Sequence, residues 1–238
     1  MVKHFNNEDI KEILITYGID LDVSTGIISY NKKTEKCTLN SRALWFMRHG
    51  ETIASQNNCF MSLSSYNSRL SKDGIKMIEK NINYIKNMGF DVVIFSPLPR
   101  VVETVEIIKK NITTYKYECL DYLLGIDNAT WSGKKLFEFT EQQKNDYISR
   151  EYLHNVFAKA KGGNCWADVL INCIEFIEFI NENYIDKNIL LVSQESVLWG
   201  IKIITHAQTV PWDNYNAKKI FNLDNNEPNS YGQILRIQ

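Results

Sequence analysis

The sequence predicts a three-layer α/β/α sandwich built on a mostly parallel β-sheet. Three observations support this fold class. Short, mainly apolar runs of β-type composition occur at residues 43–47, 91–95 and 188–193, and they alternate with segments whose apolar residues recur at helical spacing. The run at 188–193 has the composition of a strand buried on both faces of a parallel sheet. Basic residues follow two of these runs, at the edge where parallel sheets bind ligands.

Composition favours a soluble protein with one substantial core. The 238 residues are 44% hydrophobic and 12% aromatic, which is enough for one α/β domain. The net charge of −1 gives no broad basic field, so we expect neither a nucleic-acid nor a membrane partner. No run reaches the roughly 18–20 apolar residues of a membrane-spanning helix, and the N-terminus lacks a signal-peptide pattern. We therefore expect a cytoplasmic location.

The cysteine pattern does not indicate a metal site. The five cysteines form no CxxC pair and no Cys/His cluster with the spacing of metal ligands. We expect reduced thiols and no metal or organic cofactor. The cysteines are Cys37, Cys59, Cys119, Cys165 and Cys173.

Residues 1–40 precede the first strand of the sheet and are predicted to form an N-terminal extension to a domain at 41–238. Helical spacing over residues 8–17, followed by alternation over 26–39 around a polar turn at 31–34, predicts a helix and a hairpin. The extension has no candidate catalytic residue. We expect it to cover an edge of the domain or to contact a partner, for example a second copy of the chain.

The remaining predicted elements complete the alternation of strands and helices. In chain order they are a polar loop at 53–68, a helix capped by Ser71 and ended by Gly89, a strand at 115–120, a helical insertion at about 134–161, a helix at 166–180, a helix at 195–206 and a strand at 232–237.

Two strands lead into basic residues that could meet one anion. Arg48 and His49 directly follow the first strand, and Gly50 lets the backbone turn sharply beside them. The second strand leads to Arg100. Because the carboxyl ends of parallel strands meet at one edge of the sheet, these residues predict an oxyanion site. His49 could act there as a nucleophile, a general base or a hydrogen-bond donor.

The two motifs around these residues carry a resemblance to a known family. The segment 48–52, RHGET, and the segment 96–104, SPLPRVVET, resemble signature elements of the histidine phosphatase superfamily, the phosphoglycerate mutase-like enzymes. The resemblance covers roughly residues 43–238. It implies a phosphoglycerate mutase-like fold and a small phosphorylated or anionic substrate. It also implies that His49 is transiently phosphorylated, that Arg48 and Arg100 clamp the phosphate, and that the insertion covers the pocket.

One departure from the family lies at the end of the strand at 188–193. The family pattern Ser-His-Gly-Gly contains a second histidine, whereas this chain reads Ser193-Gln194-Glu195-Ser196. Gln194 can donate a hydrogen bond to phosphate, but it carries no charge and cannot titrate. Glu195, if turned inward, would repel the anion. Ser55, at a position where the family often has Asn, joins Thr52 and Glu195 as a candidate substrate-binding residue.

A second departure concerns the proton donor. Alignment of residues 123–133 with the family's acid-bearing segment places Gly125 where the family commonly has a glutamate. Losing a positioned acid typically costs ~10²–10⁴ in rate, and the cost is smallest for acyl phosphates and other good leaving groups. Asp121, Asp127, Glu195 or His154 could replace the missing groups, although such residues are more often solvated. His4 and His206 are weaker candidates, and we expect His206 to point away from the pocket.

Three functions are compatible with these residues. The first is a histidine phosphatase-like enzyme with weakened or altered chemistry, which the joint presence of His49, Arg48 and Arg100 favours. The second is a catalytically inactive protein that uses the same fold to bind a ligand or partner. The third is the same scaffold carrying out a different reaction on an anionic substrate.

Overall fold

The computed structural model describes residues 5–61, 69–114, 116–207, 231–232 and 234–237. Seven α-helices and seven β-strands lie within these ranges. In chain order they are α1 (Asn7–Thr16), β1 (Ile19–Asp22), β2 (Ile27–Tyr30), β3 (Ala43–Arg48), α2 (Ile53–Gln56), α3 (Lys72–Lys86), β4 (Val92–Phe95), α4 (Pro99–Lys109), β5 (Lys116–Cys119), α5 (Glu141–Glu151), α6 (Trp166–Asn183), β6 (Asn188–Ser193), α7 (Glu195–Ile204) and β7 (Ile234–Arg236).

The central sheet has the strand order β5-β4-β6-β3-β7. The first four strands in this order are parallel, and β7 pairs with β3 in the antiparallel direction. Strand β6 therefore lies between β4 and β3. The carboxyl ends of these three neighbouring strands carry the residues that the sequence singles out, so the sheet order brings them to one edge.

Side chains of β6 alternate between two helical layers, as the period of two in a strand requires. Ile189 and Leu191 belong to the core cluster that contains α6 and α7. Leu190 and Val192 belong to the cluster that contains α3 and α4. Both faces of the sheet are thus covered by helices, and the predicted three-layer α/β/α fold is confirmed.

The N-terminal extension packs on the helical layer formed by α6 and α7. Leu14 and Ile19 belong to the same core cluster as these helices. The Tyr17 hydroxyl donates to Glu178 Oε1 at 2.7 Å, and the Tyr30 hydroxyl donates to Ile203 O at 3.1 Å. The extension therefore covers a helical face of the domain and is part of its core.

The extension contains a hairpin, but the prediction of its position is wrong: it spans residues 19–30, whereas the predicted hairpin spans 26–39. Strands β1 and β2 pair across residues 23–26. Asp22 stabilises this turn by accepting from the Ser24 N–H at 2.9 Å, and Gly26 adopts a positive φ of 72°. This Asx-type turn with a terminal glycine is a stronger turn signal than the polar residues at 31–34.

The predicted helical insertion is helical over only part of its length. Within 134–161 the structure forms a 3₁₀ turn at Leu136–Glu138 and helix α5. Tyr147 of α5 joins a small aromatic cluster with Phe60, Trp131 and Phe139. This cluster ties the insertion to the loop that follows β3. The predicted loop at 53–68 begins with the short helix α2, and residues 62–68 lie outside the described ranges.

Two further features concern the cysteines and the potential of the helices to cross a membrane. All five cysteines are free thiols. Among the helices that the structure describes, none combines the length and apolarity that a membrane crossing requires.

Candidate active site

His49 lies at the carboxyl end of β3 and is 2% exposed. Its backbone N–H donates to Ser193 O of β6 at 3.1 Å. Its ring Nδ1 lies 2.8 Å from Gly50 O. Because a carbonyl oxygen only accepts, Nδ1 carries the proton in this contact, and the neutral ring keeps a lone pair on Nε2. Nε2 is therefore the ring atom with nucleophilic character.

The surroundings of His49 favour its neutral form. Burial, together with the positive charges of Arg100 and Arg48, holds the pKa of His49 well below its usual value of 6.5. Burial is the largest of these causes. A neutral imidazole between two guanidinium groups can attack an electrophile that the same guanidinium groups attract.

Arg100 lies in the first turn of α4 and is 2% exposed. Burial lowers its pKa to about 10, so it remains charged at neutral pH. Its Nη2 donates to Gln194 Oε1 at 2.8 Å, which fixes the Gln194 amide beside the guanidinium. Among the described residues, Arg100 Nε and Nη1 and Gln194 Nε2 are buried without hydrogen-bond partners. These orphaned donors form a cradle for an anion.

Arg48 contributes a second guanidinium that is shared with an internal carboxylate. Its Nη1 lies 2.9 Å from Glu195 Oε2, and Glu195 opens α7 beside the pocket. The guanidinium also lies 4.1 Å from the centre of the Tyr231 ring. Glu195 thus turns inward and offsets part of the positive charge that an incoming phosphate would meet.

The loop from Gly50 to Thr52 is held against α3 and α4. Gly50 N–H donates to Thr104 Oγ1 at 3.1 Å. Ser71 caps α3 by accepting from Gly74 N–H at 2.9 Å, which confirms the predicted helix start. A Cβ at Gly74 would overlap the backbone oxygen of Glu51. The glycine at this helix start therefore permits the close approach that positions the loop.

Gly125 lies against Gln194 and Ser196, in the wall of the pocket. A Cβ at this position would overlap Ser196 Oγ and would lie 3.0 Å from two atoms of the Gln194 amide. Ser196 Oγ accepts from Ile126 N–H at 3.1 Å, and Asn164 Nδ2 donates to Gly125 O at 3.0 Å. The space that a side chain at position 125 would use is occupied by neighbouring polar groups.

The candidate residues Thr52 and Ser55 are bonded to each other. Their hydroxyl oxygens lie 2.7 Å apart, and the fully buried Thr52 caps α2 by accepting from Ser55 N–H at 3.1 Å. The side chain of Thr52 also contacts Met61 Sδ at 3.2 Å. These contacts assign Thr52 a positioning role in the loop, whereas the half-buried Ser55 is closer to solvent.

The possible replacements for the missing acid and histidine differ in position. The negative charge of Asp127 acts on the pKa of Arg100, so this half-buried residue lies near the pocket. Asp121 is exposed beside Cys119 at the edge of the sheet. His154 lies in the turn after α5, with a positive φ of 55°.

The other two histidines, His206 and His4, are not among the residues that the structure places in the pocket. His206 Nε2 lies 2.8 Å from Tyr17 O, and its ring stacks on Tyr30, so it faces the extension and points away from His49. His4 lies outside the described residues.

Sequence reasoning missed several residues of the site. Tyr231 is the most prominent, because its ring lies 5.6 Å from the His49 ring and also contacts Arg48. Ser196, Thr104 and Asn164 support the pocket through the hydrogen bonds given above. The only sequence signal for Tyr231 is the Tyr-Gly pair before the final predicted strand, which does not indicate a partner.

Comparisons with known proteins identify the family and the fold. The sequence model of the histidine phosphatase superfamily (branch 1) matches residues 44–227, which is more than half of the chain. The comparison with curated protein sequences gave no match.

Several solved structures share the fold. Phosphoserine phosphatase from Entamoeba histolytica, in complex with 3-phosphoglyceric acid, is 19% identical, with a TM-score of 0.61 over 82% of this chain and 89% of its own. The Bacillus stearothermophilus protein YhfR is 17% identical, with a TM-score of 0.64 over 83% and 91%. Mycobacterial glucosyl-3-phosphoglycerate phosphatase is 14% identical, with a TM-score of 0.61 over 82% and 90%. The matched residues include both strand-end motifs, and the chain belongs to the histidine phosphatase superfamily.

Proposed function

We propose that this protein is a phosphatase that hydrolyses a small phosphorylated metabolite through a phosphohistidine at His49. The observation that carries this proposal is the contact between His49 Nδ1 and Gly50 O, which leaves the Nε2 lone pair available on a ring that the charges of Arg48 and Arg100 influence. A buried histidine with a purely structural role would have no need of two adjacent positive charges. Known structures of this fold include enzymes named for phosphorylated small molecules.

The reaction would proceed in two displacements. His49 Nε2 attacks phosphorus, the N–P bond forms, and the P–O bond to the leaving group breaks. Water then attacks the phosphohistidine, the N–P bond breaks with its electron pair returning to Nε2, and inorganic phosphate leaves. The proton on Nδ1 stays with the ring, because Gly50 O accepts it throughout.

The phosphate clamp would be weaker than a fully cationic one. Arg100 and the Gln194 amide offer buried donors to the phosphoryl oxygens. Gln194 adds no charge, and charge-assisted hydrogen bonds are roughly twice as strong as neutral ones. Arg48 shares its charge with Glu195. We therefore infer that phosphoryl transfer is slower than a fully cationic clamp would allow. Arg100 would supply most of the stabilisation of the transition state.

The lack of an acidic side chain at Gly125 affects which leaving groups the enzyme would release fastest. No carboxylate can extend from this position, and the adjacent space is filled by Ser196 and Gln194. Acyl phosphates and activated aryl phosphates leave without strong proton donation, so they should be the fastest substrates.

A substrate panel tests the proposal. Release of inorganic phosphate is measured with acetyl phosphate, p-nitrophenyl phosphate and a set of phosphorylated sugars and hydroxy acids. We expect turnover by the wild type and none by His49→Ala. His206→Ala is the matched control, because it removes a histidine that faces the extension, and it should retain activity. Equal inertness of wild type and His49→Ala on the whole panel would remove the hydrolase proposal.

The Arg48–Glu195 ion pair favours one alternative, a binding protein without turnover. An internal carboxylate on a clamp arginine slows phosphate transfer but tolerates reversible binding of a ligand. Calorimetric titration with p-nitrophenyl phosphate separates the two functions. Binding without phosphate release would support the alternative, and an absence of binding would contradict both.

We also propose that the protein is cytoplasmic. We propose further that the outward-facing surface of its N-terminal extension contacts a second copy of the chain. Ile15 of α1 is 50% exposed and lines a groove of about 600 Å³ with residues of the hairpin. Sedimentation of the wild type against Ile15→Lys tests this surface. A wild type that stays monomeric at high concentration would exclude the self-association.

A further inference from the structure

The backbone at Tyr231 is attached directly to the catalytic strand end. Gly232 N–H points at Arg48 O and His49 O, at 3.1 and 3.3 Å. Gly232 O accepts from Asn81 Nδ2 of α3 at 2.9 Å, and Gly232 has a positive φ of 75°. The pairing of β7 with β3 continues from this turn. The main-chain contacts of Gly232 therefore fix the backbone next to Tyr231 at the carboxyl end of β3.

The Tyr231 ring lies beside two of the basic groups of the pocket, Arg48 and His49. Its centre is 4.1 Å from the Arg48 guanidinium carbon and 5.6 Å from the His49 ring centre. Tyr231 also acts on Arg100, whose pKa it raises. Tyr231 lies beyond the matched residues 44–227, so the family pattern assigns it no role.

We propose that the Tyr231 phenol is the proton donor to the leaving group of the reaction. The proposal rests on the phosphatase function inferred above. Gly125 supplies no acid at the position where the family has one, and Tyr231, in the turn before β7, places a phenol beside Arg48 and His49. Tyrosine is an established general acid, and a positioned acid contributes typically ~10²–10⁴ in rate.

The proton and electron pairs balance over the two displacements. In the first, the N–P bond at His49 forms and the P–O bond breaks. The phenolic proton passes to the leaving oxygen, and the phenolic O–H electron pair stays on Tyr231, whose ring lies beside the Arg48 guanidinium. In the second, the attacking water returns a proton to Tyr231 as its oxygen bonds to phosphorus. The products are an alcohol, inorganic phosphate and the starting enzyme.

A leaving-group series tests this role. kcat/KM is measured for aryl phosphates from p-nitrophenyl to p-methoxyphenyl phosphate and for one alkyl phosphate, with wild type and Tyr231→Phe. We expect Tyr231→Phe to leave p-nitrophenyl phosphate nearly unchanged and to lower the alkyl phosphate by about 10²-fold, so that the dependence on leaving-group pKa steepens. Tyr117→Phe is the matched control, since Tyr117 lies on the edge strand β5 and its hydroxyl donates to Ile112 O.

Each other outcome overturns the proposal in a recognisable way. An equal loss for all substrates would make Tyr231 a binding or structural residue. If the dependence of kcat/KM on leaving-group pKa were unchanged in Tyr231→Phe and turnover were faster in Tyr231→Ala, the ring would only restrict access to the pocket. A slope that steepens in Asp127→Asn and stays unchanged in Tyr231→Phe would assign the acid to the nearby carboxylate. A wild type without turnover would remove the phosphatase function itself, whereas the first three outcomes leave that function intact.

Discussion

At the scale of single residues, His49 couples the stability of the fold to pH. Its pKa in the folded chain lies well below 6.5 because of burial and the adjacent arginines. Below pH 6.5 the unfolded chain therefore binds a proton at this residue that the folded chain does not. The free energy of unfolding should fall as pH decreases from 6.5 toward the folded-state pKa, by up to about 1.4 kcal/mol per pH unit.

Urea unfolding at a series of pH values measures this linkage. The difference in unfolding free energy between wild type and His49→Gln should shrink or reverse as pH falls, because the glutamine does not titrate. Parallel curves over the range below pH 6.5 would mean that the folded-state pKa of His49 is normal.

Glu195 gives a second prediction at this scale. Its carboxylate lies 2.9 Å from Arg48 Nη1 and competes with a bound anion for that charge. Glu195→Gln should tighten competitive inhibition by orthovanadate about fivefold, from about 1 kcal/mol of relieved repulsion. Glu12→Gln on the exposed face of α1 changes the net charge equally and should have no effect. Weaker inhibition in Glu195→Gln would show that the carboxylate orients Arg48 for binding.

The sequence predicts the charged residues of the pocket better than the neutral ones. Arg48, His49 and Arg100 follow strands whose parallel arrangement is evident from composition, so their convergence could be inferred. Tyr231 could not be inferred, since its place depends on an antiparallel pairing between β7 and the distant β3. A contact over that separation leaves no local pattern.

At the scale of elements, the start of α3 sets the position of the loop at 50–52. Gly74→Ala would drive a methyl group into the backbone of Glu51, and a backbone overlap cannot be relieved by rotating a side chain. We expect a loss of about 1–3 kcal/mol in unfolding free energy and a loss of phosphatase activity. Lys80→Ala, on the exposed face of the same helix, should remain within about 0.5 kcal/mol of wild type.

Chemical denaturation and phosphate-release assays on both variants check this prediction. If Gly74→Ala were as stable and active as Lys80→Ala, the close packing of α3 on the loop would not be needed for the site.

The elements that were predicted correctly are those with strong local patterns. β6 is buried on both faces and α6 has a broad apolar face, so each is evident without tertiary information. The predicted hairpin lies too far along the chain because the prediction gives weight to the polar residues at 31–34 and none to Asp22, whose side chain accepts hydrogen bonds from Ser24 in the observed turn. The prediction makes too much of the insertion helical, because a charged composition does not distinguish helix from turns.

At the scale of the whole molecule, the extension and the phosphatase-like domain share one core. Leu14→Ala removes a fully buried side chain that packs with α6 and α7, and should cost about 2–5 kcal/mol in unfolding free energy. Glu12→Ala is the control on the same helix, because Glu12 is exposed and its truncation should have little effect. Unfolding of Leu14→Ala should remain a single transition, monitored by circular dichroism and tryptophan fluorescence. A separate early transition confined to Leu14→Ala would make the extension an independent unit.

The proposed phosphatase function requires that His49 forms a covalent bond to phosphorus during turnover. The most direct measurement is a rapid quench into alkali after mixing with acetyl phosphate, followed by mass spectrometry of peptides under alkaline conditions, in which phosphohistidine survives. We expect phosphate on the peptide that contains His49 in the wild type, formed and consumed at rates compatible with turnover, and none in His49→Ala. Turnover by the wild type with no phosphate on His49 at any quench time, or with phosphate on another residue, would contradict a phosphohistidine intermediate at His49.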